Sequence, residues 1–185
     1  MKDTIIIVEG PQGAGKTTFT NYLREKMSAT DLYRLTGIKD KTETGHKKIE
    51  KKYSVLMSVY YKEKPEWLKY SIESMLEQTI FPDEIVLVKD GPLTPELDEV
   101  IKNFENENPA LFNIIKLEKN VGLGPALEIG ILKCRNEFVA RMDTDDYSVP
   151  NRIEKQFEIY EKYPELGMVG TNVDEFENNI DEVQC

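Results

Sequence analysis

The sequence predicts an α/β protein with a mostly parallel β-sheet and helices on both of its faces, preceded by a separate strand–helix segment. Three observations predict it. Short β-branched runs alternate with amphipathic helical stretches from residue 53 onward, the order that gives parallel strands joined by right-handed crossovers. Another β-branched run, ending in a glycine-rich turn, comes near residue 5. With 39% hydrophobic residues, the 185-residue chain can bury a core but is small for two complete domains.

The front of the chain differs from the rest in pattern and in charge. Residues 4–8 form a β-branched run that predicts a strand, and apolar residues at one-face spacing predict a helix after it. Residues 31–52 are polar and irregular and predict a linker. Residues 1–50 carry a net charge of +2 and residues 51–185 one of -12. We therefore expect a strand–helix fragment at 1–30, a polar linker at 31–52 and the main domain at 53–185.

The sequence of the main domain predicts five strands and four helices in alternation. The start of one helix is marked by Thr94 as the N-cap and Pro95 as the first helical residue. The predicted strands cover 54–60, 84–89, 112–117, 137–142 and 168–176, and the predicted helices cover 65–78, 95–108, 124–133 and 150–163.

Polar residues follow several of these strands, where an open α/β sheet binds ligands. They are Tyr60 and Tyr61, Asp90, residues 119–122 and residues 143–146. In the last group, strand alternation directs Asp143 and Asp145 to one side and Asp146 to the other. Two carboxylates directed together repel each other unless a cation lies between them, and Mg²⁺ or Mn²⁺ prefers such oxygen ligands. The alternative is an acidic turn that caps the helix beginning near Pro150.

Four segments in order carry a resemblance to a known family: 54–60 (SVLMSVY), 88–92 (VKDGP), 119–124 (KNVGLG) and 140–146 (ARMDTDD). Residues 53–185 resemble the family 2 glycosyltransferases, and most of all their amylovoran and exopolysaccharide branch. The resemblance implies the nucleotide-binding half of a Rossmann-like GT-A fold. It also implies a hexosyltransferase that moves a sugar from a nucleoside-diphosphate donor, of UDP type, to a surface polysaccharide or lipid-linked acceptor.

The resemblance also assigns site residues. It implies that Asp143 and Asp145 of the DxD motif hold Mn²⁺ or Mg²⁺, that Asp143 contacts the ribose or the metal, and that Asp90 binds the base. The full nucleotide-sugar set is Ser58, Tyr60, Glu63, Asp90, Gly122 and Asp143. Strand-end packing is the alternative for Tyr60, and turn capping is the alternative for Asp90. Arg152 either adds positive charge near the site or forms a surface ion pair.

Two departures from the family pattern affect these expectations. Ser58-Val-Tyr60-Tyr61 stands where many members have Pro-x-Tyr-Asn, which concerns base recognition. The family's acceptor half, which supplies the catalytic base, has no counterpart in residues 53–185, so no catalytic residue is assigned. A nucleotide-binding module without turnover is therefore an alternative function.

The front segment contains a second motif. Residues 10–17 (GPQGAGKT) satisfy the G-x-x-x-x-G-K-[ST] pattern between a predicted strand and a predicted helix. Residues 1–30 resemble the start of P-loop nucleoside or nucleotide kinases. The motif gives Gly13, Gly15, Lys16 and Thr17 as candidate phosphate ligands for ATP. An ATP-dependent phosphotransferase is the second alternative function.

Composition excludes several other classes. A net charge of -10 and a pI near 4.8 argue against a nucleic-acid-coating protein. Two cysteines and one histidine make neither a disulfide framework nor a zinc cluster. No signal peptide or spanning segment is evident, so we expect a cytoplasmic protein. A lipid-linked acceptor makes peripheral membrane association a further expectation, and an open sheet edge favours pairing with another chain.

Overall fold

The computed structural model describes residues 5–8 and 50–171 of the chain. In this part the strands are β1 (Ile5–Val8), β2 (Tyr53–Val59), β3 (Glu84–Lys89), β4 (Phe112–Lys116), β5 (Phe138–Arg141) and β6 (Met168–Gly170). The helices are α1 (Pro65–Leu76), α2 (Pro95–Glu107), α3 (Leu123–Ile131) and α4 (Arg152–Lys162). The predicted alternation is confirmed. Most element ends agree with the prediction to within two residues, whereas the strand predicted at 168–176 ends at Gly170. The predicted front helix, the phosphate-loop residues and most of the linker lie outside the described residues.

The strands form one sheet in the order β4-β3-β2-β5-β1-β6. Every pair among them is parallel, which confirms the predicted parallel sheet. The strands β2, β3 and β4 follow one another outward, and the chain then returns to place β5 on the other side of β2. The direction of strand addition therefore reverses between β2 and β5, the position at which open α/β sheets bind ligands.

The strand β1 lies between β5 and β6. Ile5–Ile7 pair with Phe138–Ala140, and Ile6–Val8 pair with Met168–Gly170. The strand that we predict at residues 4–8 is thus part of the sheet formed by the main domain. The division at residues 30 and 52 stays a prediction, because residues 9–49 lie outside the described part.

The central strands are buried on both faces, so their sequences are continuously apolar. Val55, Met57 and Val59 of β2 face a core shared with the buried sides of α1, α2 and α4. Leu56 faces the opposite core, against α3. Because successive side chains of a strand point to opposite faces of the sheet, β2 contributes to both cores. Helices on both faces of the sheet were predicted, and the described residues confirm them.

Two local details agree with the sequence. The Thr94 hydroxyl accepts a hydrogen bond from the Leu97 amide at 3.3 Å, so Thr94 is the N-cap of α2 as predicted. In α3, a Cβ added at Gly130 would lie 2.5 Å from Leu56 Cδ1 and 2.8 Å from Val88 Cγ2. Glycine at this position therefore lets α3 pack closely on β2 and β3.

Candidate functional site

A cavity of about 390 Å³ lies at the carboxyl ends of β2, β3 and β5. We call it the strand-end cavity. It is lined by Ser58, Tyr60, Glu63, Asp90, Asn120, Gly122, Leu123, Asp143, Thr144 and Asp145. Every nucleotide-sugar and metal residue that the sequence analysis names is in this set. Asn120, Leu123 and Thr144 fall within stretches that the sequence singled out, residues 119–124 and 143–146, but were not named individually.

Asp90 ends β3 and holds the loop before α3. Its Oδ1 accepts a hydrogen bond from the Val121 amide at 2.7 Å, and its Oδ2 accepts one from the Gly122 amide at 3.0 Å. The Asn120 side-chain amide donates to the Asp90 carbonyl at 3.3 Å. Asp90 therefore does cap the loop, which was the alternative to base recognition. Its contact with a base stays a prediction.

Two glycines allow this loop to close on β3. Gly91 has a φ of +88°, and a Cβ there would lie 2.7 Å from the Asn120 amide nitrogen. Gly122 has a φ of +89° and no atom near its absent Cβ. Both conformations are ones that residues with a Cβ rarely adopt. At Gly122 the backbone therefore borders the cavity without a side chain, which suits close contact with a ligand.

The carboxylates of Glu63, Asp143 and Asp145 line the same cavity. Burial raises the pKa of Asp143 to about 7, the Arg141 guanidinium opposes this rise, and Asp146 and Asp145 add to it. Burial also raises the pKa of Glu63 to about 7, with a further contribution from Asp145. The charge of Asp145 thus destabilises the negative charge of both Glu63 and Asp143, and a cation would relieve that repulsion.

Arg141 accompanies Asp143 from inside the fold. It belongs to β5 and is fully buried, and its Nη2 forms an ion pair with Asp143 Oδ1. The guanidinium fixes one oxygen of the carboxylate that faces the cavity. Sequence analysis did not assign Arg141 a role, although a charged residue within an apolar strand just before two aspartates is a signal that could have been used.

Helix α1 and the segment after it hold residues 143–150, which we call the aspartate loop. The Ser71 hydroxyl donates a hydrogen bond to the Asp143 carbonyl at 2.6 Å. The Gln78 amide nitrogen donates to the Val149 carbonyl at 2.9 Å, and its oxygen accepts from the Ile153 amide at 3.2 Å. Ser71 lies on the otherwise apolar inner face of α1, and Gln78 follows the end of that helix. Neither residue was named from the sequence.

Arg152 differs from both roles that were expected of it. It is 1% exposed, so it lies in the interior rather than at the surface, and it does not line the strand-end cavity. Its Nη1 donates to the Ser148 hydroxyl at 3.1 Å and its Nη2 to the Arg141 carbonyl at 3.2 Å. Burial lowers its pKa to about 9. The apolar face of α4 carries this arginine into the interior, where it connects β5 to the loop before α4.

Residues 54–184 match the family described as glycosyl transferase family 2. The chain belongs to glycosyltransferase family 2. The match begins at residue 54 and therefore leaves the resemblance of residues 1–30 to P-loop kinases as a prediction.

Several relatives within this family are similar to the chain. It is 46% identical over 132 residues to an uncharacterized glycosyltransferase of Haemophilus influenzae, covering 71% of this chain and 49% of the relative. It is 47% identical over 127 residues to the amylovoran biosynthesis glycosyltransferase AmsE of Erwinia amylovora, covering 69% and 47%. The UDP-Gal:alpha-D-GlcNAc-diphosphoundecaprenol beta-1,3-galactosyltransferase of Escherichia coli is 37% identical over 130 residues, covering 69% and 46%. The family 2 chain thus spans about half the length of these relatives.

Solved structures support the same fold. The structure of S. aureus TarS 1–349 in complex with UDP-GlcNAc matches with a TM-score of 0.53 and 23% identity, covering 61% of this chain and 32% of that one. This likeness shows that the chain shares the fold of that structure. Among the described residues, no helix is long and apolar enough to cross a membrane.

The side chains that line the cavity determine whether it can hold a metal ion. Within residues 50–171, no group of three or more His, Cys, Asp or Glu side chains is arranged to hold a metal ion. The carboxylates of Asp143 and Asp145 line the cavity together, however, and the charge of Asp145 contributes to the raised pKa of Asp143. Such oxygen donors suit Mg²⁺ or Mn²⁺, with the remaining ligands taken from bound phosphate and water.

Proposed function

We propose that this chain binds a nucleoside-diphosphate sugar of UDP type in the strand-end cavity and takes part in transfer of the sugar to a polysaccharide or lipid-linked acceptor. The proposal rests on one observation about the lining of this cavity. Seven residues chosen from separate sequence motifs line one cavity: Ser58, Tyr60, Glu63, Asp90, Gly122, Asp143 and Asp145. The name of the E. coli relative, which specifies a UDP-sugar donor and a lipid diphosphate acceptor for that protein, supports this choice of substrates.

In this proposal the cavity divides into a phosphate end and a nucleoside end. Asp143 and Asp145 hold Mn²⁺ or Mg²⁺ at the phosphate end, and the Gly122 backbone leaves room for the diphosphate. Ser58, Tyr60 and Asp90 surround the ribose and the base. When bound, the metal supplies positive charge against the negative charge that develops on the leaving diphosphate.

The residues of this chain supply binding and orientation. Arg141 fixes one oxygen of Asp143 through their ion pair, and Asp143 also lines the cavity. The carboxylate is therefore held in place before the donor arrives. Asp90 holds the loop of Val121 and Gly122 in place through two backbone amides. Preorganised groups of this kind lower the cost of ordering the donor. The base that deprotonates the acceptor is assigned to no residue of this chain.

Calorimetric titration of the intact chain with UDP, in the presence and absence of Mn²⁺ or Mg²⁺, tests the proposal. We expect binding that requires the metal. Asp145→Asn should weaken it by at least about 100-fold, because loss of a ligand costs more than the 10- to 100-fold typical of supporting residues. Asp98→Asn is the matched control, since Asp98 lies on α2 against Lys89 and does not line the cavity. Metal-independent binding, or equal losses in the two variants, would contradict the proposal.

The phosphate-loop motif provides the competing function, and the same experiment separates the two. If the working site is the front motif, ATP binds in place of UDP and Lys16→Ala removes the binding. If the strand-end cavity is the donor site, UDP affinity is the same in Lys16→Ala as in the intact chain.

A further inference from the structure

The guanidinium group of Arg152 joins the two ends of the aspartate loop. Its Nη2 donates to the Arg141 carbonyl at 3.2 Å, and its Nη1 donates to the Ser148 hydroxyl at 3.1 Å. Arg141 ends β5 just before the loop, and Ser148 lies near the end of the loop. Asp143 and Asp145, which line the strand-end cavity, lie between these two contacts in the chain. One planar group therefore fixes how far apart the two ends of the loop lie.

The same guanidinium contacts the residue that precedes Asp143. Its Nη1 lies 3.2 Å from Met142 Sδ and 3.8 Å from Met75 Sδ on α1. Both methionines belong to the hydrophobic core. Sulfur is a weak acceptor, so these two contacts contribute packing more than hydrogen bonding. Arg152 thus touches the backbone of Arg141 and the side chain of Met142, the two residues that lead into Asp143.

Ser148 is held from several directions at the far end of the loop. It is fully buried. Its hydroxyl oxygen accepts from Arg152 Nη1 and from Gln78 Nε2, both at 3.1 Å, which uses the two lone pairs of a hydroxyl oxygen. Its amide donates to the Ser74 hydroxyl at 3.1 Å. This end of the loop therefore moves only if several hydrogen bonds break together.

Helix α4 holds the arginine in this orientation. Arg152 is the first residue of α4, and its Nε donates to the side-chain oxygen of Gln156, one turn further along, at 3.4 Å. Gln156 is itself buried. All three nitrogens of the guanidinium thus have an acceptor, and each acceptor lies in a different part of the fold. The group is therefore fixed in its plane as well as in its position.

Packing alone does not account for an arginine at this position. Burial of a charged group costs free energy, and an apolar replacement of similar volume is often neutral or stabilising. Helix α4 already buries Ile153 and Phe157 on the same face as Arg152. An apolar side chain would fill the space, but it has no donors for the Arg141 carbonyl and the Ser148 hydroxyl. The arginine therefore supplies a connection that packing does not supply.

We propose that Arg152 is a positioning residue for the strand-end cavity. By joining the Arg141 carbonyl to the Ser148 hydroxyl, it holds the aspartate loop in the conformation in which Asp143 and Asp145 line the cavity together. Arg152 does not line the cavity itself, so it acts through the loop. The inference rests on the proposed function, because the ligands of this loop are then a metal ion and UDP. It deepens that function by making affinity depend on a residue outside the cavity.

Amide hydrogen exchange of the full chain, without nucleotide or metal, tests the connection itself. In Arg152→Met the aspartate loop should exchange at least about 10-fold faster, because two restraining hydrogen bonds are lost and each contributes about fivefold. Phe157→Leu is the matched control. Phe157 is fully buried on the same helix, but its ring packs 4.9 Å from that of Phe138 at the opposite end of β5. This control should lower the Tm and leave local exchange in the loop unchanged.

Calorimetric titration with UDP and Mn²⁺ tests the effect on the site. Arg152→Met should weaken binding about 10- to 100-fold, the usual loss for a group that orients a metal ligand. Arg152→Lys should lose nearly as much, because one ammonium group on a flexible stem does not reproduce the fixed fork of the guanidinium. Phe157→Leu should bind UDP as tightly as the intact chain does, although it is less stable. Far-UV circular dichroism verifies the fold of each variant.

A double-mutant cycle tests whether Arg152 acts through Ser148. The combined loss of UDP affinity in Arg152→Met with Ser148→Ala should be smaller than the product of the two separate losses, because both changes remove the same hydrogen bond. Separate losses that multiply in full would contradict an action through Ser148.

Three results would overturn the proposal. They are unchanged loop exchange in Arg152→Met, an equal loss of UDP affinity in Phe157→Leu, and full affinity in Arg152→Lys, because charge alone would then suffice. An intact chain that binds no UDP with metal would instead contradict the proposed function. The exchange measurement, which needs no ligand, then still decides whether Arg152 positions the aspartate loop.

Discussion

Arg141 and Asp143 are two residues apart in the chain and have opposite roles at the site. Arg141 is fully buried in β5, whereas Asp143 reaches the strand-end cavity. Their ion pair brings a positive charge to a carboxylate whose burial raises its pKa. The guanidinium therefore opposes the effect of burial on the Asp143 charge and fixes one of its oxygens, and both effects favour a metal ligand.

Replacing Arg141 tests this role. Arg141→Met should weaken metal-dependent UDP binding about 10- to 100-fold, the usual effect of losing a group that orients a metal ligand. Arg141→Lys should lose less, because it keeps the charge without the fork of the guanidinium. Calorimetric titration with UDP and Mn²⁺ measures the affinities, and the Tm of each variant reports its stability. Arg135→Met serves as control, since Arg135 bonds the Asp83 carbonyl away from the cavity. Unchanged affinity in Arg141→Met would contradict the assigned role.

The chemistry of single residues also determines which site residues could be predicted from the sequence. Aspartates and glycines after strands are chemically distinctive, so Asp90, Gly122, Asp143 and Asp145 could be named in advance and all line the cavity. Leu123 carries no such signal. Ser71 was missed for a different reason, because its partner is a backbone carbonyl 72 residues away, and a backbone atom leaves no mark in the sequence.

At the scale of elements, α1 determines where the aspartate loop lies. Ser71 binds the Asp143 carbonyl, Ser74 accepts from the Ser148 amide at 3.1 Å, and the Thr79 amide donates to the Pro150 carbonyl at 2.8 Å. Helix α1 and the segment that follows it thus hold successive parts of residues 143–150. The loop takes its position from a rigid helix rather than from its own sequence, which suits a site that must be preorganised.

Removing one of these contacts should affect stability and binding together. Ser71→Ala should reduce the free energy of unfolding by about 1 kcal/mol and weaken metal-dependent UDP binding about 3- to 10-fold, because the Asp143 backbone is then less constrained. Urea unfolding and calorimetric titration measure the two effects.

Ser54→Ala is the matched control for Ser71→Ala. Ser54 is also fully buried, but it accepts a hydrogen bond from the Asn136 amide at the other end of the sheet. It should lose similar stability and no affinity. If both variants, or neither of them, lose affinity, α1 does not position the loop.

Elements were predicted more reliably than their ends. The helix predicted at 65–78 ends at Leu76, and the strand predicted at 168–176 is described only at Met168–Gly170. Apolar periodicity identifies an element, whereas its end depends on side-chain and backbone contacts from elsewhere. Gln78 illustrates this, since it follows the end of α1 and uses its side chain to bind Val149 and Ile153.

At the scale of the whole molecule, the sheet joins a strand from the front of the chain to the family 2 domain. The β-branched run predicted β1, but no local pattern could place it between β5 and β6. Strand neighbours depend on which edges remain unpaired after the other strands have assembled, and this information is distributed over the whole sequence. The strand–helix order predicted a ligand site at the carboxyl ends of the strands, where the cavity lies. The reversal between β2 and β5 was not predicted.

The central position of β1 leads to a prediction about stability. Ile6 pairs with Val139 on one side and with Met168 on the other. Ile6→Pro removes an amide and introduces a ring that a central strand does not accommodate. We expect the free energy of unfolding to fall by about 1 to 3 kcal/mol, because a partner carbonyl loses its ladder hydrogen bond, as measured by urea unfolding. Ile6→Val is the control at the same position, since it keeps the backbone unchanged. If Ile6→Pro is as stable as Ile6→Val, β1 does not contribute to the sheet.

The position of β1 also has a consequence for the newly synthesised chain. The ribosome makes β1 before either neighbouring strand, and about 130 residues separate Val8 from Phe138 at the start of β5. At about 5 to 20 residues per second, that interval lasts roughly 7 to 26 s. During this time β1 has no partner strand to pair with, while β2, β3 and β4 can already assemble. A chaperone that binds short aliphatic segments would therefore meet residues 5–8 of this chain during translation rather than after it.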